Sequence, residues 1–250
     1  MNNISGTPVP NLFLTGLTPD DLAAMTPHLE TVTLPRRFMF HDKDEPIEHV
    51  FFPGGGMVSL LIPMKDGALI EAGVIGNEGA IGLSSLTGHK RSLYSAMVQL
   101  PANAARIRAS VLHEQSQHSL RLMNQVLLFS YVLQAQVSQA AACNSHHGLL
   151  ERLAGWLLKA HDRAQDDELA LTQELMAMML GCRRPGVTVA ANTLQQVGAI
   201  RYGRGHVIIR DRRLLESSAC ECYAAQRDVY REFLSWPAIP HERPRRNALQ

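Results

Sequence analysis

The chain has 250 residues, 46% hydrophobic and 19% charged, with a formal net charge of +1. That length and apolar content can supply two ordinary domain cores. No apolar run is long enough for a bilayer, and MNNISGTPVPN lacks the basic and apolar regions of a secretion signal, so a soluble, cytoplasmic chain without a membrane partner is expected. Cys143, Cys182, Cys220 and Cys222 form no disulfide framework and suit a reducing compartment.

Residues 1–112 carry short β-type runs, Glu48–Phe52, Met57–Ile62, Leu69–Val74, Ser95–Gln99 and Ala104–Ile107. Between them lie turn signals such as Pro53-Gly54-Gly55-Gly56, Lys65-Asp66-Gly67 and Gly76-Asn77-Glu78-Gly79. Many short strands at such spacing predict a β-sandwich or small barrel. This front section also holds Asp20, Asp21, Asp42, Asp44, Glu45 and Glu48, which segregates the charge along the chain.

From His113 to Ala142 there is neither proline nor glycine, and a long helix is expected over 113–145. Met123, Val126, Ser130, Leu133, Val137 and Ala140 recur at alternating steps of three and four, a heptad-like seam that predicts a dimer interface. A helix that merely covers the sandwich is the alternative. A break is expected at Asn144–Gly148. Leu149, Leu150, Leu153, Trp156 and Leu157 then mark an amphipathic helix.

The segment LALTQELMAMMLGCRRPGVTVAANTLQQVGAIRYGRGHVIIRD, Leu169–Asp211, reads as two short helices and a hairpin. Thr172 is an N-cap, and Leu175, Met178 and Met179 give one apolar stripe. Gly181 ends the first helix. Pro185 suits the start of the second, whose inward face is Val187, Val189, Ala190, Leu194 and Val197 up to Gly198. Alternating residues on either side of Gly203-Arg204-Gly205 complete a winged helix-turn-helix, a shape that sets one helix in the major groove of DNA. Between Arg183 and Arg213 lie Arg183, Arg184, Arg201, Arg204, Arg210, Arg212 and Arg213 against the single acid Asp211, and guanidinium groups so placed neutralise phosphates. Residues 146–236 are therefore expected to form the DNA-binding domain, and proline-bearing 237–250 a flexible tail.

Catalysis finds little support. His113 and His118 in HEQSQH are five apart, about 140° on a helix, where a zinc-protease motif needs histidines four apart. Gly-x-Ser-x-Gly, the phosphate-binding Gly-x-x-x-x-Gly-Lys loop and the dinucleotide fingerprint are missing from the sequence. Cys220-Glu221-Cys222 is too tight for a Cys-x-x-Cys knuckle, and Cys143, His146 and His147 read as ordinary residues near a helix end, so no metal is expected.

The order of parts, with LTQELMAMMLGCRRPGVTVAANTLQQVGAIRYGRGHVII as the sharpest motif and DGALIEAGVIGNEGAIG and NSHHGLLERLAGWLL in support, resembles the Crp/Fnr superfamily of transcription regulators from about residue 12 to 230. The resemblance implies an α+β chain: an N-terminal β-jelly-roll of the cyclic-nucleotide-binding type, a long dimerisation helix and a C-terminal winged helix-turn-helix. It also implies a homodimer on a two-fold symmetric operator in double-stranded DNA, with RNA polymerase as a candidate partner. A DNA-independent adaptor that binds a small molecule or protein is the alternative.

Residue by residue, the effector pocket maps to Glu78, Gly79, Arg91, Tyr94 and Ser95. Glu78 stands for the family's ribose-binding glutamate, but Tyr94 replaces the arginine that holds the cyclic phosphate, and a phenol offers no charge or bidentate fork. The expectation is weak or no cyclic-nucleotide binding. With no cysteine before Cys143, the N-terminal thiolates of an iron–sulfur member are also missing. A haem-type sensor would draw on His41, His49 or His89. In the reading helix, Arg184 takes the place of the principal base-reading arginine, suited to guanine O6 and N7. Pro185 and Val189 replace a glutamate and a second arginine, so a different operator is implied. Arg183, Thr188 and Asn192, with Tyr202, Arg204 and His206 of the wing, complete the expected DNA contacts. Asn144–Gly148 is the expected hinge between sensor and reading head.

Overall fold

The computed structural model describes residues 9–88, 91–164, 166–203 and 205–234. Two short helices lead in, α1 (Leu12–Thr15) capped by Asn11 and α2 (Pro19–Met25) capped by Thr18. The strands β1 (Glu30–Leu34), β2 (Met39–His41), β3 (His49–Pro53), β4 (Met57–Pro63), β5 (Leu69–Ile75), β6 (Ser95–Leu100) and β7 (Ala102–Arg108) follow. They form two antiparallel sheets, ordered β1-β7-β3 and β2-β6-β4-β5. Leu34, Val50, Phe52 and Ile107 from one sheet and Val58, Leu60, Ile75 and Val98 from the other share a single core, as a sandwich requires. The five runs expected from the sequence are all strands. β1 and β2 were not anticipated; in β1 only Leu34 is buried, so it carries no apolar alternation to read.

The predicted long helix is interrupted. α3 (Ala109–His118) ends at Ser119, whose backbone is extended (φ −127°, ψ 105°) and whose hydroxyl accepts from Leu122 N to cap α4 (Leu120–His146). A serine can offer the backbone that alternative to continued helix. Contrary to the expectation from the sequence, α4 is long and apolar enough to cross a membrane by length and composition alone. Leu122, Val126, Phe129, Val132 and Gln136 instead bury against the rest of the chain.

After the break comes α5 (Leu149–Arg163), with Glu151 reaching back to the Gly148 N–H at 2.9 Å. The C-terminal part continues with β8 (Glu168–Leu169), α6 (Gln173–Leu180), α7 (Arg184–Gln196), β9 (Ile200–Gly203), β10 (His206–Ile209), α8 (Arg212–Ser217) and α9 (Glu221–Leu234). β8, β10 and β9 form one antiparallel sheet in that order. The expected separate cores are only partly separate. Met57, Leu61, Val74 and Leu100 of the sandwich lie in one cluster with Trp156, Leu157, Met176, Val187 and Leu194. α9 returns along α4, adding Tyr230 and Leu234 to the sandwich core.

Candidate nucleic-acid interface

The helix-turn-helix is built from local rules. Thr172 Oγ1 accepts from Leu175 N at 3.2 Å and starts α6. Gly181 (φ +60°, ψ 40°) ends it in the left-handed region, where glycine carries no Cβ penalty. α7 begins at once, with Pro185 in the first turn, where a missing N–H costs nothing. Val187, Ala190, Ala191 and Leu194 bury its inner face. Val189 and Val197, expected on that face, are 68% and 49% exposed, and Met178 of α6 is 38% exposed. The three- and four-residue spacing admits two neighbouring faces, and packing on α5 selects one.

The outer face of α7 carries Arg183, Arg184, Val189 and Asn192 exposed, with Thr188 half-buried among them. Two of these have partners inside the chain. Arg184 Nε lies 3.0 Å from Glu174 Oε1, with both side chains about three-fifths exposed. Thr188 Oγ1 donates to Gln173 Oε1 at 3.0 Å. The wing is tied to this helix, because Tyr202 N donates to Gln195 Oε1 at 2.8 Å. His206 lies over Gly203, where an added Cβ would fall 2.5 Å from its Nε2. Arg204, expected at the wing tip, lies outside the described residues. Arg201, Arg210 and Arg213 are exposed. Arg212 leaves the basic set: it is 13% exposed, and its Nη2 and Nε pair with Asp162 at 2.7 Å and Glu216 at 3.0 Å.

The expected effector residues do not converge. Arg163 of α5 donates from Nη2 and Nε to Glu78 Oε1 at 2.5 and 3.1 Å. Both side chains are almost fully buried, 2% and 0% exposed. Burial alone would lower the affinity of Arg163 for its proton; Glu78 and then Tyr230 reverse this and push the pKa up. The carboxylate assigned to a ribose is therefore committed to a residue 85 positions later. Gly79 is covered by Phe129, and a Cβ there would collide with the ring. Arg91, Tyr94 and Ser95 turn elsewhere. Arg91 Nη1 donates to Asp44 O, Ser95 Oγ donates to Asp42 Oδ1 at 3.1 Å, and Tyr94 stacks near His41. His89 lies outside the described residues.

Two residues of the expected dimer seam are taken up within the chain: Val126 is buried, and Leu133 packs on the same core. Ala140 lines a cavity with Gly73 and Gln136. Gln136 in turn joins the domains, exchanging two hydrogen bonds with the backbone of Val74 and donating to Tyr230 Oη. The less covered 3-4 series is Met123, Leu127, Ser130, Gln134, Val137 and Ala141, flanked by Leu120 and Tyr131. It keeps Met123, Ser130 and Val137. The sheets and α9 cover the other sides of the helix. At the expected hinge, His147 is held rather than free, 3.2 Å from Glu221 and 3.5 Å from Cys222 Sγ.

Residues 151–218 match the model of the Crp-like helix-turn-helix domain. No curated protein sequence matches the chain. Among solved structures it is similar to FixK2 from Bradyrhizobium japonicum, at 17% identity and TM-score 0.65, over 77% of this chain and 98% of that one. It is similar to TTHB099, a CRP-family transcriptional regulator from Thermus thermophilus, at 18% identity and TM-score 0.63, over 75% and 96%. CLP of Xanthomonas campestris, a c-di-GMP responsive global regulator, aligns at 16% identity and TM-score 0.60, over 77% and 99%. Residues 151–218 thus match a Crp-like helix-turn-helix domain, and the chain shares the fold of these Crp/Fnr-type structures.

Proposed function

We propose that the chain is a cytoplasmic, homodimeric regulator that binds a two-fold symmetric operator through α7 and the β9–β10 wing. The observation that carries this is the outer face of α7: Arg184, Val189 and Asn192 stand exposed beside a wing fastened to the same helix. Arg184 suits a guanine edge, Val189 a thymine methyl and Asn192 an adenine edge. Arg183, Arg201 and the wing supply phosphate contacts, which give affinity without sequence preference. Pairing two subunits along Met123, Leu127, Ser130, Gln134, Val137 and Ala141 would set two reading helices for successive major grooves, about 34 Å apart.

The sensor works without cyclic AMP in this reading. Glu78 is neutralised by Arg163, and Tyr94 stands where a phosphate-binding cation is needed, which supports a signal of other chemistry. Isothermal calorimetry with cyclic AMP should show no binding heat, and micromolar affinity would refute this part.

The deciding experiment is selection of bound fragments from sheared genomic DNA by the purified chain without added ligand. A palindromic site is expected. Arg184→Ala should then relax preference at one base of each half-site, while Arg201→Ala lowers affinity for all sequences alike. Retained dimerisation with no DNA affinity under any condition would favour the adaptor reading.

A further inference from the structure

The last turn of α4 and the first turn of α9 meet at a cluster that the DNA-binding reading leaves unused. Cys143 and His147 stand one helical turn apart at the end of α4, and Cys220 and Cys222 flank the start of α9. Their ligand atoms, Sγ of each cysteine and a ring nitrogen of His147, all lie within 4.8 Å of one another. We propose that Cys143, His147, Cys220 and Cys222 bind one zinc ion.

The dimensions fit. Zn–S bonds of about 2.3 Å and Zn–N bonds of about 2.0–2.1 Å set tetrahedral edges of about 3.8 Å between sulfurs and about 3.5 Å between sulfur and nitrogen. Cys143 Sγ to Cys220 Sγ is 3.5 Å, and Cys222 Sγ to His147 Nδ1 is 3.5 Å. Three sulfurs and one imidazole make a closed donor set of the structural zinc type, and soft thiolates disfavour magnesium or calcium. The spacing argument from the sequence fails because it treats Cys220-x-Cys222 as one arm of a knuckle. The fold takes the other two ligands from α4, one helical turn apart there, with Cys143 lying 77 positions from Cys220.

The surroundings point the same way. His147 turns Nδ1 to the cluster and Nε2 to Glu221 Oε2 at 3.2 Å, the carboxylate–histidine pairing that orients metal-bound imidazoles. Gln139 Nε2 donates to Cys222 Sγ at 3.0 Å, as a donor to a thiolate would. Binding releases the thiol protons and leaves a site with one net negative charge. The N-terminus of α9, between Cys220 and Cys222, faces that charge with positive potential.

The test uses the untagged full-length chain, purified under reducing conditions without chelator. Elemental analysis should give one zinc per chain. Cobalt exchanged into the site should show the intense ligand-field and thiolate charge-transfer bands of a tetrahedral sulfur-rich centre. Cys222→Ser should abolish stoichiometric zinc. Should that variant fail to fold, Glu221→Gln keeps every ligand and should weaken zinc about 10- to 100-fold in competition with a chromogenic chelator. A reduced chain that takes up no zinc on titration would overturn the proposal. Isolation of an iron–sulfur chromophore would do so equally, as would a Cys143–Cys220 disulfide that forms in the presence of stoichiometric zinc.

Discussion

Arg184 has a partner inside the chain that the proposed DNA contact would compete with. Its guanidinium faces Glu174, and in the proposed operator complex it would have to turn to a base edge. An exposed pair of this kind is worth about 0.2–1 kcal/mol. Glu174→Gln should therefore tighten DNA binding about 1.4- to 5-fold, most at low salt, as read by fluorescence anisotropy across a salt series. A second residue-scale expectation concerns His41, buried with its Nε2 unpartnered. Desolvation lowers its pKa below the ordinary 6.5, against the opposing charges of Glu45 and Asp42. A histidine held neutral in the fold contributes stability above its unfolded pKa, and that contribution is lost as pH falls through the folded value. Denaturant unfolding of the native chain should weaken as pH drops below about 6.5. His41→Phe, which keeps a ring beside Tyr94, should flatten that slope; an unchanged slope would place the titration elsewhere. Glu78 shows why single positions can mislead. Its motif is legible in the sequence, but its partner Arg163 belongs to another domain, and no local pattern announces the pairing.

The α4 helix was legible as an element, but not which of its stripes is covered within the chain. Small and apolar residues recur at three- and four-residue steps along two adjacent stripes, so periodicity alone does not say which one faces out. Packing decides: β5 and α9 take the stripe that includes Val126 and Gln136, leaving Leu127 and Tyr131 at 62% and 58% exposure. Leu127→Glu should lower the dimer fraction in light scattering while leaving the melting temperature of the monomer intact. Val126→Glu should destabilise the monomer itself, because it places an unpaired charge in a core. The opposite pattern would return the seam to the register first expected. α6, α7 and the wing were legible as elements because caps, Gly181 and alternation are local signals, although Met178, Val189 and Val197 fall off the buried faces expected for them. β1, β2 and β8 were not: two are three residues or shorter, and β1 buries one side chain. The Cys143, His147, Cys220 and Cys222 residues could be set aside as two separate pairs in the sequence, since the pairs meet only when α9 folds back on α4.

Over the whole molecule, the two domains share hydrophobic surface, the Glu78–Arg163 pair and a main-chain bond from Gly56 N to Arg163 O of 3.1 Å. Removing one partner of a fully buried ion pair costs about 3–5 kcal/mol, because the other charge is left stranded. Glu78→Gln should lower the melting temperature by on the order of 10 °C for a chain of this size. Calorimetry should show one transition for both domains in the native chain, and two resolved transitions would mean the joint core is weaker than its contacts suggest.

That joint core also limits what can be cut out of the protein. A reading head started at Leu149 would carry Trp156, Leu157 and Leu175 without the Met57, Leu61 and Leu100 that lie against them, and Arg163 without its counter-charge. Such a fragment would be sticky and poorly folded, so this head is not a portable graft for another sensor. A chimaera would have to carry β4, the end of β6 and the Glu78 loop after β5 along with the helices, or repaint the underside of the helices with polar residues.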